Sequence, residues 1–294
     1  MYMKPYTFFN SICIGGCVFF LCATFFVWNR AGASGGTLYD PKVTTVSFAE
    51  VNREKLEMGN DVLEIQNGES EERLGEFVPS SIKEVVVESD IVEDVQEDVV
   101  LPPSFNLAVP FTSQAPEKNW DQPWQDACEE AAILMLDAYY KGYGLSPLFA
   151  KDELLKMVVF EEEKNWGGSI EIEKVREVAA FYLFGNGKWK MDEMGLTILE
   201  NPTIEQIKIF VAQGHPVYAV AYGKDLPNPH FVNGGPEYHA LIIRGYTETT
   251  FITNDPGTQF GENFEYKYSD LMQAIHDWND GNPKEGQSVV MVLR

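Results

Sequence analysis

Trp124-Gln125-Asp126-Ala127-Cys128-Glu129-Glu130-Ala131-Ala132-Ile133-Leu134-Met135-Leu136-Asp137-Ala138-Tyr139-Tyr140 is a polar turn running into an apolar helical stretch. Asp126 is in position to cap that helix, and Glu129 three residues on completes a capping-box pattern, so Cys128 is expected in the first turn. Backbone N–H groups and the macrodipole at a helix start stabilise negative charge and bias such a thiol toward thiolate. Glu129 and Glu130, as nearby like charges, work against this. The other cysteines, Cys13, Cys17 and Cys22, all lie in one apolar N-terminal run. The remainder of the chain has no internal disulfide open to it, and Cys128 reads as either a buried small hydrophobe or an activated nucleophile. The nucleophile is the working expectation.

The compartment follows from the N-terminus. Residues Tyr6 to Trp28 carry no charge and are long enough to cross a bilayer as a helix. Lys4 precedes the run, and a markedly acidic segment follows Arg30, which favours the N-terminus inside and the bulk of the chain outside. Ala31-Gly32-Ala33 has the form of a processing site, so the run over residues 1–30 is an anchor or, if cleaved, a signal peptide; both readings send the remainder out of the cytoplasm. The expectation is a single-pass membrane protein with an extracytoplasmic domain.

The formal charge is -23, and much of it falls between Asp40 and Asp98. Glu-Ser-Glu-Glu and similar runs there have no sustained helical face, so residues 31–104 read as an acidic disordered stalk. A chain this acidic lacks the clustered Lys and Arg that phosphate contacts need, which excludes nucleic acid as a partner.

After Leu101-Pro102-Pro103 aromatics rise and apolar runs of strand length appear, leaving room for one domain over 105–294. Helices are expected from near Lys151 to Phe160, from Ser169 to about Phe184, and from Thr203, whose partner Gln206 completes a capping box, to Gly214. Strands are expected at His215–Tyr222, His239–Tyr246, Thr250–Thr253 and Ser288–Leu293, with a short helix from Ser269 to about Trp278. Helices leading and a mostly antiparallel sheet trailing is an α+β arrangement. His239, opening a strand, is the imidazole best placed to face a helix terminus; Asp255, ending the next strand, is placed to orient it through the second ring nitrogen.

Five elements occur in order: Val109-Pro110-Phe111-Thr112-Ser113-Gln114; Trp124 to Cys128 opening a helix that ends in Tyr139-Tyr140-Lys141-Gly142; Gly214-His215-Pro216-Val217; Tyr238-His239-Ala240-Leu241-Ile242-Ile243-Arg244-Gly245-Tyr246; and Asn254-Asp255-Pro256-Gly257. The set resembles the papain-fold cysteine peptidases similar to the double-glycine-leader (bacteriocin-processing) peptidases, over essentially all of 105–294. The resemblance implies Cys128 as nucleophile, His239 as general base and then acid, and Asp255 as the orienting residue. It also implies Gln114 as a side-chain donor to the oxyanion hole beside the Cys128 backbone N–H, with Gln122 as a rival nearer in sequence. Where that family has Gly-Pro after the cysteine, this chain has Glu129-Glu130. The double-glycine preference is not carried over, because no transporter segments accompany the domain.

The expected activity is hydrolysis of peptide bonds through an acyl-enzyme, with a peptide or a cell-wall peptide as substrate and with no metal or organic cofactor. His215, His230 and His276 lack metal-ligand spacing with one another or with a second cysteine. Two alternatives use the same domain: a peptidoglycan-directed amidase or endopeptidase, and a catalytically silent peptide-binding module.

Overall fold

The computed structural model describes residues 45–53, 101–185 and 195–294. In chain order the elements are β1 (Thr45–Val46), β2 (Phe105–Leu107), α2 (Cys128–Lys141), α3 (Pro147–Lys164), α4 (Ile172–Phe184), β3 (Leu196–Glu200), α5 (Ile204–Ala212), β4 (Val217–Tyr222), β5 (Tyr238–Tyr246), β6 (Thr250–Asn254), β7 (Phe264–Lys267), α6 (Tyr268–Ala274) and β8 (Val289–Leu293). A further helical segment, α1, covers residues 48–53. The strands form one sheet in the order β1-β2-β5-β4-β8-β3, with β6 on β5 and β7 on β6. Only the β1–β2 pair is parallel among these, so the expected α+β class with a mostly antiparallel sheet is what the chain adopts.

The centre of the domain is α2 packed on β5. Every residue from Cys128 to Tyr139 is buried, and so is every residue of β5. A helix buried around its whole circumference must be covered on all sides, and α3 and α4 cover what β5 does not. Ile133, Leu134, Met135 and Leu136 are essentially inaccessible to solvent, and each such side chain contributes about 2 kcal/mol through removal of apolar area from water. The helix stops at Gly142, whose φ of 72° is left-handed and whose N–H closes onto the Ala138 carbonyl.

One buried cation ties the sheet to the segment that leads toward α2. The β5–β6 ladder shifts register between Ile243 and Gly245, and Arg244 sits at that irregularity, 3% exposed. Its Nε donates to the Leu107 carbonyl (2.8 Å) and Asn106 Oδ1 (3.0 Å), and its Nη1 donates to the Val109 carbonyl (3.0 Å) and Asn254 Oδ1 (3.1 Å). Gly245 beside it has no room for a side chain, since a Cβ would stand 2.6 Å from the Phe105 carbonyl oxygen. The guanidinium therefore holds β2 and the Val109–Pro110 stretch against β5 with a planar fork that an ammonium does not reproduce.

Several boundaries differ from the sequence reading. Asp126 is not the cap of α2: it ends a 3-10 turn, Trp124–Asp126, the cap position is Ala127, and no side chain caps it. The extra turn uses up Asp126, whose carboxylate instead accepts from Gln122 Nε2 at 2.6 Å. The helix expected near Lys151–Phe160 starts earlier, because Ser146 caps it by accepting from the Phe149 N–H, and runs on to Lys164, where Asn165 turns left-handed at a φ of 58°. The Thr203–Gln206 capping box forms as read. Strands β2, β3 and β7 were not anticipated; each is short and takes its place from its partner rather than from its own pattern.

The acidic stalk also needs correction in part. Residues 45–53 lie on the domain: β1 pairs with β2, Phe48 stands edge-on to Tyr139 and Tyr140 at 5.6 and 5.0 Å, and Val51 is buried where Gly214 has no side chain to exclude it. Ser47 and Glu50 form a capping box at the start of α1. The rest of the stalk up to residue 100 and the charge-free run Tyr6–Trp28 lie outside the described residues. Among the described residues no helix is long and apolar enough to cross a membrane.

Replacing Arg244 with Lys is expected to lower unfolding free energy by about 2 kcal/mol, since buried carbonyl acceptors lose their donors. Urea denaturation of the full chain, read as a midpoint shift at constant slope, measures it.

Candidate active site

Asp255 continues from the end of β6 with no solvent exposure, and both its oxygens are saturated. Oδ1 accepts from His239 Nε2 (2.7 Å) and the Gly257 N–H (2.9 Å); Oδ2 accepts from Asn228 Nδ2 (3.0 Å) and the Tyr266 hydroxyl (2.6 Å). Burial pushes the carboxyl upward and is the largest single effect. The His239 ring and the donors Tyr266 and Gly257 together outweigh it and hold the group below its usual value.

The bond to Asp255 uses Nε2 of His239, so the ring's other nitrogen, Nδ1, is the one left for chemistry. Nδ1 is buried and has no hydrogen-bond partner among the described residues. The ring is fixed by Phe231, edge-on at 5.4 Å and 85°, and by the backbone of Gly257, where an added Cβ would stand 2.7 Å from ring Cε1. Glycine after Pro256 is thus required by close approach: any side chain there pushes the ring off Asp255. His239 lies in the part of β5 that pairs with β4 but precedes its pairing with β6, which begins at Ile242.

Cys128 is the first residue of α2 and 5% exposed. The Ala240 backbone N–H, next in the chain after His239, faces its sulfur. In this arrangement the thiol does not bond to the imidazole. It donates to Glu129 Oε2 at 2.8 Å. Burial, then the charge of Glu129, then that hydrogen bond, then the charge of Glu130 hold the thiol pKa well above its ordinary value. The expected thiolate bias is overturned here, because desolvation and two carboxylates exceed what one helix start supplies. Glu129 is itself raised to about 7, first by its burial.

Gln114 is tied to the same turn as the imidazole. Its backbone N–H donates to the Pro256 carbonyl at 3.0 Å, and Ser113 Oγ donates to the same carbonyl at 3.1 Å. Its Nε2 donates to the carbonyls of Trp124 (3.0 Å) and Gln125 (2.8 Å), while Oε1 is buried without a partner. An amide so engaged donates to an oxyanion only by exchanging one of these bonds. Gln122, the rival, is exposed and engaged by Asp126. The sequence brought Cys128, His239, Asp255 and Gln114 to one region; it did not single out Asn228, Tyr266 or Gly257, which hold the carboxylate. Asn228 sits in Pro227-Asn228-Pro229 and reads as turn chemistry, and Tyr266 lies on a strand without a pattern of its own.

No curated protein matches the chain. Among solved structures, a C39-like peptidase of Bacillus anthracis is similar at 16% identity over 64% of this chain and 95% of that one. Its TM-score is 0.39. The model described as the Peptidase_C39 like family matches residues 106–282, a span that is more than half of the chain and contains the sulfur, the imidazole and the carboxylate, and the chain belongs to that family of papain-fold cysteine peptidases.

Proposed function

We propose that the chain is a membrane-tethered, extracytoplasmic peptidase in which Cys128 is the nucleophile, His239 the general base and acid, and Asp255 the residue that orients the ring. The observation that supports this most is the state of the imidazole: Nε2 is held by an ionised, four-fold hydrogen-bonded Asp255, and Nδ1 is buried, unpartnered and on the strand against which α2 packs.

The arrangement is a resting state. A turn of the Cys128 side chain away from Glu129 breaks their hydrogen bond, and the thiol proton passes to His239 Nδ1 as the sulfur attacks the scissile carbonyl. The C–S bond forms, the carbonyl becomes an oxyanion, and the Cys128 backbone N–H, which as the first in α2 has no acceptor within the helix, donates to it. Gln114 Nε2 joins by giving up Trp124 or Gln125; such a donor contributes about 3 kcal/mol to the transition state. The imidazolium then protonates the leaving amine as the C–N bond breaks. Water, deprotonated by the same ring, cleaves the thioester. Asp255 keeps the tautomer that leaves Nδ1 as the acceptor and stabilises the cation between the two transfers.

Three outcomes are expected. Exchanging Asp255 for Asn should lower kcat on peptide substrates by about 100-fold or more, equivalent to about 2.7 kcal/mol, with KM little changed; retention of wild-type kcat ends the orienting role. Because Glu129 opposes ionisation of the thiol by both charge and hydrogen bond, Glu129→Gln should speed alkylation of Cys128 by iodoacetamide at pH 7 several-fold, with peptide mapping to separate it from Cys13, Cys17 and Cys22. An unchanged rate would mean burial alone sets the thiol. For the tether, deletion of residues 6–28 should move the protein from carbonate-washed membranes to the soluble fraction. Hydrolysis of a peptide library by the full chain, set against release from purified cell-wall fragments, decides between a peptide and a peptidoglycan substrate.

A further inference from the structure

A second group of carboxylates stands beside the site and is not used by the hydrolytic chemistry. Between α2, α3 and the 3-10 turn lies a cavity of about 310 Å³ whose wall includes Gln122, Asp126, Glu130, Glu161, Glu162 and Gly168. Glu130 and Glu161 are 3% and 5% exposed. Each has one buried carboxylate oxygen, Oε2 of Glu130 and Oε1 of Glu161, with no hydrogen-bond partner among the described residues. Gly168 lets Asp126 join them, since even a Cβ at that position would stand 3.0 Å from Asp126 Oδ2.

Buried carboxylates are ordinarily met by a cation or by donors. At the far end of the same helix Asp137, which lines another cavity, has a cation beside it: Lys141 Nζ stands 2.5 Å from Oδ1 and the Tyr143 hydroxyl donates to Oδ2. At Glu130 and Glu161 no Lys or Arg among the described residues forms an ion pair. Burial, and after it the charge of Glu161 on Glu130 and of Glu129 on Glu161, raises both groups, Glu161 to about 8. The described residues hold no cluster of His, Cys, Asp and Glu with the geometry of a metal site. An organic cation with several N–H donors fits the two unmet oxygens, and its arrival would draw both groups back to the ionised form.

We propose that this cavity receives a Lys or Arg side chain of the peptide substrate and so sets cleavage specificity; the inference rests on the peptidase reading. Glu130 is two positions after Cys128, and at 100° per residue it projects from the other side of α2. The cation then enters around the shoulder of a helix about 10 Å across, which an extended chain covers in about three residues. The preferred position is thus removed from the scissile bond rather than next to it.

Two measurements on the full-length chain test this. In the first, peptides that differ at one position at a time, carrying Arg, Lys, norleucine or Glu, are compared by kcat/KM. A preference of at least tenfold for Arg or Lys over norleucine, expressed mainly in KM and confined to one position away from the scissile bond, is the expected result, and the ratio should fall toward one in Glu130→Gln and Glu161→Gln. Equal values for Arg, Lys and norleucine at every position, or a ratio that survives both substitutions, overturns the proposal. In the second, wild-type protein is titrated with Nα-acetyl-arginine amide, Nα-acetyl-lysine amide and Nα-acetyl-norleucine amide by calorimetry, a readout that needs neither turnover nor a folded variant. Saturable binding of a cationic amide and not of the norleucine amide supports the pocket, and the tighter of the two names the side chain. Absence of binding by both cationic amides overturns it. If no peptide is hydrolysed while the arginine or lysine amide binds, the peptidase reading has failed and the cation pocket has not.

Discussion

The short contact between Asp255 and His239 organises the catalytic half of the molecule. A carboxylate with no solvent exposure is costly unless each lone pair meets a donor, and here a ring nitrogen, a backbone N–H, an amide and a phenol meet it from four separate parts of the chain. The loop at Asn228, the turn at Gly257, strand β7 and strand β5 all have to be in place before the charge is tolerated. That demand makes the imidazole's orientation a property of the whole sheet. The Pro256 carbonyl passes it on, because it accepts from both Ser113 and the Gln114 backbone and so fixes the segment leading to α2 against the same turn.

On the other side of the site the balance runs toward restraint. The helix start favours the anion of Cys128 by a surface-like 0.3 to about 2 kcal/mol, whereas full desolvation and the adjacent Glu129 carboxylate oppose it. Glu129 is raised to about 7, so near neutral pH it divides between a form that accepts the S–H bond and a protonated form that does not repel a thiolate. Ionisation of the Cys128 thiol is therefore opposed by its burial and by the residue that follows it in the chain.

How much of this could be read from the residues depended on how local the physics was. The α2 helix and the Thr203 capping box were legible because apolar spacing and cap chemistry sit within a few residues. Strand β5 was legible because Tyr238–Tyr246 is a long run bounded by turn residues. The first turn of α2 was misread at Asp126, since a 3-10 turn and a capped helix begin with the same letters and differ in which donor reaches the carboxylate. Residues 45–53 were misread because their acidic surroundings masked Thr-Val-Ser-Phe, and what orders them is aromatic contact with Tyr139 and Tyr140, nearly a hundred positions away. Gln114 was placed correctly in the chain, but which hydrogen bonds its amide makes is set by carbonyls of a turn that no spacing rule describes.

Docking of β1 and α1 on the domain changes what the acidic segment is. The chain already belongs to the domain at residues 45–53 and belongs to it again from Phe105, so the acidic stretch between them is an insertion in the domain's sequence and not a segment that precedes it. Residues 45–53 are therefore joined to the body twice over, by the covalent chain and by strand pairing with β2 together with the packing of Phe48 on Tyr139 and Tyr140 and of Val51 on Gly214.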